Sequence, residues 1–363
     1  MKIKSSPARL ICLCIVSAFA FYASAARANI SNWTGQVDTD WFNLGNWDNG
    51  VPTSSTDAFI NSGKARIDSS GATAHTLTIG ANPGDSGGLT VDGTNGGSLS
   101  VSPACGGNTE DPAYIGIGIY VGYGGSGEMS ILNGGTVASG YGYIALLPSD
   151  GTNPASNGAV TIAGTGSAWT LSGCPDARLF VGGNNTGSNP GGTALLSVTD
   201  SGEVTVNNNT AALVSLSVGP SGTLTGNGTI TLNAPGYESR LAAVNGTLVP
   251  TGTLSIRGNL GLTPTAMTLF NVTPEVSDMV HVKTIAPGDG AGLATVNGRV
   301  SISMTGTFTS SVTRYTLLES DGNLIGTFSP ISIKYPTDQG FTPSISYDSN
   351  HVYLDLDFSS GGL

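Results

Sequence analysis

Short segments in which an aliphatic residue alternates with Thr, Ser or Asn recur along most of the chain. Each runs for four to six positions and stops at Gly or Asn-Gly; clear examples are "LTVDG", "SLSVS", "MSILNGGTV", "AVTIAGTG", "LLSVTDSGEVTV", "LSVGPSGTL" and "TLSIRGNL". Period-two alternation that ends at turn residues is typical of a half-buried strand. After residue 28, no window keeps a helical period for ten residues without Gly or Pro. The pattern therefore predicts an all-β fold.

The strand pattern repeats along the chain. The pair Val121-Gly122, followed by a strand and "NGGTV", recurs 60 residues later as Val181-Gly182, followed by a strand and "DSGEV". A shorter segment of the same kind begins at Val218. Such periods indicate stacked rungs, each of which buries its apolar side against its neighbours. In a parallel β-helix, the inward positions of this region are predicted to be Met129, Ile131, Val137, Val160, Ile162, Leu195, Val204, Val206, Leu216 and Val218.

Residues 1–28 have the pattern of a secretory signal peptide. Three basic residues precede a short apolar run, and an A-x-A site ends at Ala28. We expect cleavage between Ala28 and Asn29, which N-terminal sequencing of the exported chain would test. The mature chain is then expected in the periplasm, at the outer membrane or cell surface, or outside the cell.

Composition excludes some partners. All 24 acidic residues and nine of the 13 basic residues follow residue 28, which leaves a mature net charge of −15. Such a chain repels nucleic acid and anionic membrane surfaces. Only 10% of all residues are charged, whereas 39% are hydrophobic, enough to bury a core. No membrane span is predicted in the mature chain.

Two cysteines follow the signal, Cys105 and Cys174, each in a loop rich in Gly or Pro. An oxidising destination allows one disulfide between them, and the spacing leaves open whether they pair or stay free. Thiol labelling without reduction would decide this question.

The order of several motifs resembles the passenger part of bacterial autotransporters and related secreted β-helix proteins. These motifs are "WTG...D..W....NW..GVP", "VG..GSG.MSILNGGTV", "VTIAGTGSAWTL", "GTLTGNGTITL", "VNGTLVPTGTLSIRGNL", "VSDMVHV" and "YTLLESDGNLIGTFSPI". The resemblance implies a right-handed parallel β-helix. The residues themselves predict a Trp-rich N-terminal cap and a C-terminal β cap, which divides the chain into a signal peptide (1–28), a cap region (29–76), the repeats (77–262) and the C-terminal end with its cap (263–363).

The chain departs from this family in two places. Pro250 is followed by Thr251, where the family usually has Pro-Gly. No series of amphipathic strands, which would indicate the translocating barrel of an autotransporter, follows the last motif. The resemblance is therefore to a passenger that lacks the C-terminal barrel.

Three tryptophans, Trp33, Trp41 and Trp47, lie within fifteen positions near the mature N-terminus. One hypothesis is a cap that covers the first rung with apolar area while each indole N–H finds a polar partner. The alternative is a platform that stacks on a glycan. The cap is the interpretation that the repeat architecture favours.

The sequence contains few candidates for catalytic or metal-binding residues. The histidines His75, His281 and His351 are scattered, without metal-ligand spacing, and are expected to be exposed or hydrogen-bonded loop residues. The acidic residues Asp38, Asp40 and Asp48 form the nearest carboxylate cluster, and their turn-rich surroundings favour hydrogen bonds to nearby backbone N–H groups. No catalytic residue, cofactor site or metal site is predicted.

The sequence thus predicts a non-enzymatic secreted or cell-surface β-helix protein with glycans or other surface proteins as partners, and the resemblance implies a role in adhesion or surface coverage. Two alternatives stay open. A polysaccharide lyase or glycoside hydrolase would gather several carboxylates and cations in one groove. A nonfunctional remnant of a longer autotransporter would be followed by a barrel-encoding frame.

Overall fold

The computed structural model describes residues 29–102, 118–172, 177–183, 191–208, 215–235, 240–286, 290 and 292–358. In these ranges the chain forms 32 strands in three sheets, together with two single-turn 3-10 helices, Leu44–Asn46 and Gly93–Asn95. The all-β prediction is confirmed.

The strands belong to three sheets, named I, II and III in the order in which the chain first enters them. Sheet I contains β1 (Asn29–Asn32), β2 (Thr56–Ile60), β5 (Thr76–Ile79), β8 (Gly118–Val121), β11 (Tyr141–Ile144), β14 (Arg178–Val181), β17 (Leu216–Val218), β20 (Leu241–Val244), β23 (Asn259–Leu262), β26 (Ala294–Val296) and β29 (Leu324–Gly326). Sheet II contains β3 (Ser62–Ile67), β6 (Ser86–Asp92), β9 (Ser126–Leu132), β12 (Asn157–Ala163), β15 (Thr193–Thr199), β18 (Gly222–Gly226), β21 (Thr247–Pro250), β24 (Met267–Val272), β27 (Arg299–Met304) and β30 (Ile331–Lys334). Sheet III contains β4 (Ala72–Ala74), β7 (Ser98–Val101), β10 (Thr136–Ser139), β13 (Ala168–Leu171), β16 (Glu203–Asn207), β19 (Thr229–Asn233), β22 (Thr253–Arg257), β25 (Met279–Lys283), β28 (Arg314–Ser320), β32 (His351–Asp357) and β31 (Thr342–Tyr347).

From β2 to β30 the chain visits sheets I, II and III in turn, and each strand from β2 to β27 pairs in parallel with the strand three places later. This path is a three-sided parallel β-helix, and the fold-class prediction is confirmed. The coil is closed at its C-terminal end by an antiparallel hairpin, in which β32 pairs with β28 and β31 pairs with β32.

Aligned aliphatic side chains fill the inside of the coil. On sheet I, Ile79, Val121 and Ile144 occupy the same register position on successive strands, and all three are fully buried. Nine of the ten predicted inward positions are buried. The period-two pattern identified them because successive side chains of a strand point to opposite faces.

The prediction for Leu195 is wrong. Leu195 points outward and is 37% exposed, whereas Leu196 is fully buried. Leu196 pairs with Val160, which pairs with Met129, so Leu196 and not Leu195 is the counterpart of the inward residue Met129. A shift of one residue moves a side chain to the opposite face of the sheet.

The N-terminal end of the stack is covered by the segment that carries the three tryptophans. Trp33, Trp41 and Trp47 are 4%, 0% and 5% exposed. The Trp47 ring packs edge-to-face on Trp33 at 5.1 Å and on Trp41 at 4.8 Å between centroids. Indoles buried in this way have no open face for a sugar.

The indole N–H groups differ in their partners. The Nε1 of Trp47 donates to the carbonyl of Trp41 at 2.8 Å, whereas the Nε1 of Trp41 is buried and has no hydrogen-bond partner. The expectation that every indole N–H finds a partner is therefore wrong for Trp41. The Trp41 ring is fully buried, and burial of its apolar area stabilises the fold by more than one missing hydrogen bond costs.

Candidate binding surface

A column of aromatic side chains runs along the outer face of sheet I. Tyr120, Tyr143 and Phe180 occupy one register position on β8, β11 and β14. The Tyr120 and Tyr143 rings are stacked at 4.9 Å and 4° between planes, and Tyr143 stacks on Phe180 at 5.1 Å. Burial raises the pKa of Tyr143 to about 12. The Tyr143 ring is therefore neutral at physiological pH.

Towards the N-terminal end, the same column continues into an open groove with a volume of about 400 Å³, here called the sheet I groove. Register places Thr78 beside Tyr120, and Phe59 beside Thr78. Tyr123 packs edge-to-face on Tyr120 at 5.7 Å. The groove is lined by Ile30, Asn32, Phe59, Asn61, Thr78, Ala81, Asn82 and Tyr123.

Three asparagines at the rim of the groove are fixed by hydrogen bonds on one side. The Nδ2 of Asn32 donates to Asp48 at 2.8 Å, and the Nδ2 of Asn82 donates to Asp85 at 3.0 Å. The Oδ1 of Asn61 accepts from the backbone N–H of Ala81 at 3.0 Å. These bonds orient the three amides and leave one polar end of each for a ligand.

The outer faces of sheets II and III carry columns of hydroxyl groups. On sheet III, one register position holds Thr73, Ser100, Ala138, Thr170, Thr205 and Thr231. On sheet II, one register position holds Thr90, Ser130, Thr161, Ser197 and Thr225. Two long walls of the coil are therefore polar with few charges.

The three histidines lie on different coils, and each has a carboxylate partner. The Nδ1 of His75 is 2.7 Å from Asp57, the Nε2 of His281 is 3.1 Å from Asp321, and the Nδ1 of His351 is 2.9 Å from Asp348. His281 and His351 lie on strands β25 and β32 rather than in loops. The expectation of hydrogen-bonded histidines is confirmed, while their placement in loops is wrong for these two.

The carboxylates of the N-terminal cap stabilise turns. Asp38 accepts hydrogen bonds from Asn46, Asn43 and the backbone N–H of Asp40, and these bonds hold its pKa below the usual value. Asp40 accepts from the backbone N–H of Phe42 at 2.9 Å. Asp38 and Asp40 thus hold together the loop that presents Trp41.

Asp48 joins the cap loop to β1. Its two oxygens accept from the backbone N–H and the side chain of Asn32 at 2.7 and 2.8 Å. Burial works against the charge, but the bonds from Asn32 keep the pKa of Asp48 below its usual value. Asp38 and Asp40 therefore make the local bonds that their turn-rich sequence predicted, whereas the bonds from Asn32 to Asp48 join positions 16 residues apart.

Charged side chains occur mainly as separate pairs in the described ranges. Lys64 bonds Glu128 at 2.8 Å in a groove on sheet II. Arg66 bonds Asp92 at 2.7 Å at the end of the same sheet. Among the residues that the structure describes, no group of three or more His, Cys, Asp or Glu is placed to hold a metal ion, and no helix is long and apolar enough to cross a membrane.

Several predicted residues lie outside the described ranges: Cys105, Cys174 and Ala28. The disulfide and the signal cleavage stay predictions. Asn29, the expected new N-terminus, is the first residue of β1 and is exposed.

The sheet I groove was missed by sequence reasoning. Phe59, Thr78 and Tyr123 lie on or beside separate strands, and only the parallel register brings them together. One usable signal existed. Phe59 is a large aromatic residue at an outward position of the alternating segment "TDAFI".

Comparison of the sequence with models of known protein families gave no match, and no curated protein matched either. The observed β-helix agrees with the resemblance to autotransporter passengers. No family match supports that resemblance.

Proposed function

We propose that this chain is a non-enzymatic β-helix protein, exported to the cell surface or beyond, that acts in adhesion or surface coverage by binding glycans or neighbouring surface proteins. The observation that carries the proposal is the outer surface: stacked strands repeat hydroxyl and amide groups along several coils, with few charges among them. Many weak contacts on such a wall add up when the partner is also repetitive.

The placement of the acidic groups also supports a binding role. A lyase or hydrolase of this fold would need carboxylates at set distances in one groove. Here Asp38, Asp40 and Asp48 are engaged in turn hydrogen bonds, and the sheet I groove is lined without a charged side chain. The signal-like residues 1–28 and the autotransporter-like motif order support export.

The test is an assay of the purified mature chain on neutral and acidic polysaccharides. We expect retention on at least one polysaccharide, with little change as salt is raised, because few of the contacts involve charges. We expect neither new reducing ends nor unsaturated products. Cleavage at an enzymatic rate that is lost in D38N, D40N or D48N would overturn the proposal and favour a carbohydrate-active enzyme.

A further inference from the structure

The sheet I groove combines aromatic rings with oriented amides. Phe59 and Tyr123 are half-buried, and the edge-to-face contact with Tyr120 fixes the Tyr123 ring. Strands of a sheet are about 4.8 Å apart, so the lining positions Asn32, Phe59 and Thr78 span about 10 Å across three strands. A groove of that length accepts a short chain of sugar rings, whose C–H faces pack on aromatic side chains.

The amides that line the groove offer both kinds of hydrogen-bonding group. Because their Nδ2 atoms are bonded to Asp48 and Asp85, Asn32 and Asn82 have Oδ1 atoms left as acceptors. Asn61 is oriented the other way, so its Nδ2 is left as a donor. A sugar hydroxyl both donates and accepts, and this mixed set matches it.

Thr78 supplies an independent sign of a ligand. Its side chain is 1% exposed and lines the groove between Phe59 and Tyr120, and its Oγ1 is buried without a hydrogen-bond partner. A buried polar atom without a partner is costly and rare in proteins. A hydroxyl of a bound sugar that reaches the floor of the groove would satisfy it.

The charges around the groove select among sugars. The lining residues carry no charge, and two carboxylates, Asp48 and Asp85, are bonded to amides of the lining. An anionic sugar would meet these carboxylates without a cation in the lining. The surroundings therefore favour a neutral sugar over a uronic acid.

From these four observations we infer that the sheet I groove binds a neutral glycan, with Phe59 and Tyr123 as the stacking surface and Asn32, Asn61, Asn82 and Thr78 as hydrogen-bonding groups. This inference rests on the proposed function, because it gives the ligand class for one part of the binding surface.

The experiment uses the mature chain and three soluble probes: a cello-oligosaccharide, a manno-oligosaccharide and an oligogalacturonate. Binding is measured by calorimetry. At least one neutral probe should bind, and the acidic probe should bind more weakly. Tighter binding of the oligogalacturonate, or no binding of either neutral probe, would overturn the inference.

Three variants locate the site. N61D keeps the acceptor that holds Ala81 but replaces the donor by a charge, so the neutral probe should bind about tenfold more weakly or worse. F59L keeps the apolar area but removes the ring face, so the neutral probe should bind about tenfold more weakly. The matched control N95D adds the same charge in an exposed turn on another part of the coil and should leave binding unchanged.

T78V separates binding from folding. Removing a buried hydroxyl that lacks a partner should raise the free energy of unfolding, while the neutral probe binds about fivefold more weakly. If the wild-type chain binds a neutral probe and N61D, F59L and T78V bind it equally well, the groove is not the site, and the proposed function stands. Release of new reducing ends from the probes would instead overturn the proposed function.

Discussion

Single residues decide whether two sheets can approach each other inside the coil. The Trp169 ring on β13 is fully buried and points at Gly142 on β11. A Cβ at position 142 would lie 2.6 Å from the Trp169 ring and 2.7 Å from the Leu179 side chain. The indole N–H donates to the hydroxyl of Ser139 at 3.0 Å, which fixes the ring in that place.

The variant G142A should therefore lower the free energy of unfolding by about 1–3 kcal/mol, because the core is overpacked at that point. Urea unfolding followed by tryptophan fluorescence measures the loss. The control G261A lies on the same sheet, where the added Cβ would meet only the flexible end of Leu241 at 3.2 Å. Equal losses in the two variants would contradict the role given to Trp169.

Asp92 shows how one carboxylate holds a corner of the coil. It accepts from the hydroxyl and the backbone N–H of Thr94 at 2.6 and 2.9 Å, from Asn133 at 3.2 Å and from Arg66 at 2.7 Å. Because of these partners, chiefly Thr94, the pKa of Asp92 is lowered to about 2.

The variant D92N should lower the free energy of unfolding by about 1–2 kcal/mol at neutral pH. The folded-state pKa lies below the unfolded value of about 3.9, so the stabilisation is present above pH 4 and lost as the pH falls through about 2. The free energies of unfolding of wild type and D92N, taken from their unfolding curves, should therefore approach each other as the pH falls from 4 to about 2. The control D68N, which changes a half-buried neighbour, should change stability by only about 0.5 kcal/mol. A difference between wild type and D92N that persists at pH 2 would contradict the role given to the Asp92 carboxylate.

At the scale of elements, the strands at the two ends of the coil must be covered by other segments of the chain. A strand in the middle of the stack has parallel partners on both sides, whereas an end strand leaves backbone groups and core side chains uncovered. The C-terminal end is covered by the β31–β32 hairpin, with Val352 and Leu354 buried against β28. The N-terminal end is covered by the tryptophan loop, whose turns are held by Asp38 and Asp40.

The variant W41A should remove the centre of this cover. We expect the free energy of local unfolding at the N-terminal end to fall by about 3–5 kcal/mol, as for other buried Trp to Ala changes. We also expect oligomers to form through the strand edges that become exposed. Light scattering after size-exclusion chromatography and hydrogen exchange of β1 and β2 measure the two effects. L44A, which truncates an exposed side chain of the same loop, serves as the control. A monomeric W41A with unchanged exchange in β1 would show that the loop is not a cap.

At the scale of the whole molecule, each coil contacts mainly its two neighbours. Stability in such a stack is close to a sum of coil terms and nearest-neighbour terms. Ile256 on β22, for example, is fully buried between Ile230 of β19 and Val282 of β25. A cavity there should weaken those coils and leave distant ones unchanged.

The variant I256A should lower hydrogen-exchange protection in β19, β22 and β25 by about 2–5 kcal/mol of local stability, while β2 and β5 keep their protection. Hydrogen exchange read by mass spectrometry gives both regions in one measurement. The control S255A changes an outward side chain of the same strand. Equal loss of protection along the whole chain would show that the coil unfolds as one unit.

Much of the fold followed from the sequence by itself. Alternation with period two is a local property, so strands, turns and nine of ten predicted inward residues could be identified without knowledge of their neighbours. The local hydrogen bonds of Asp38 and Asp40 also followed, because Asp side chains in turns bond nearby amides. The repeats indicated stacking, because a single rung cannot bury its own apolar face.

What the tertiary structure decided is the alignment between strands. Partner strands are separated by loops of variable length, so the sequence of either strand alone does not determine their register. For this reason the sequence predicted the wrong face for Leu195. The same alignment brings Phe59, Thr78 and Tyr120 side by side across three strands, and it places Gly142 under Trp169. Sequence determined which residues form strands, and packing between coils determined which side chains meet on the outer surface.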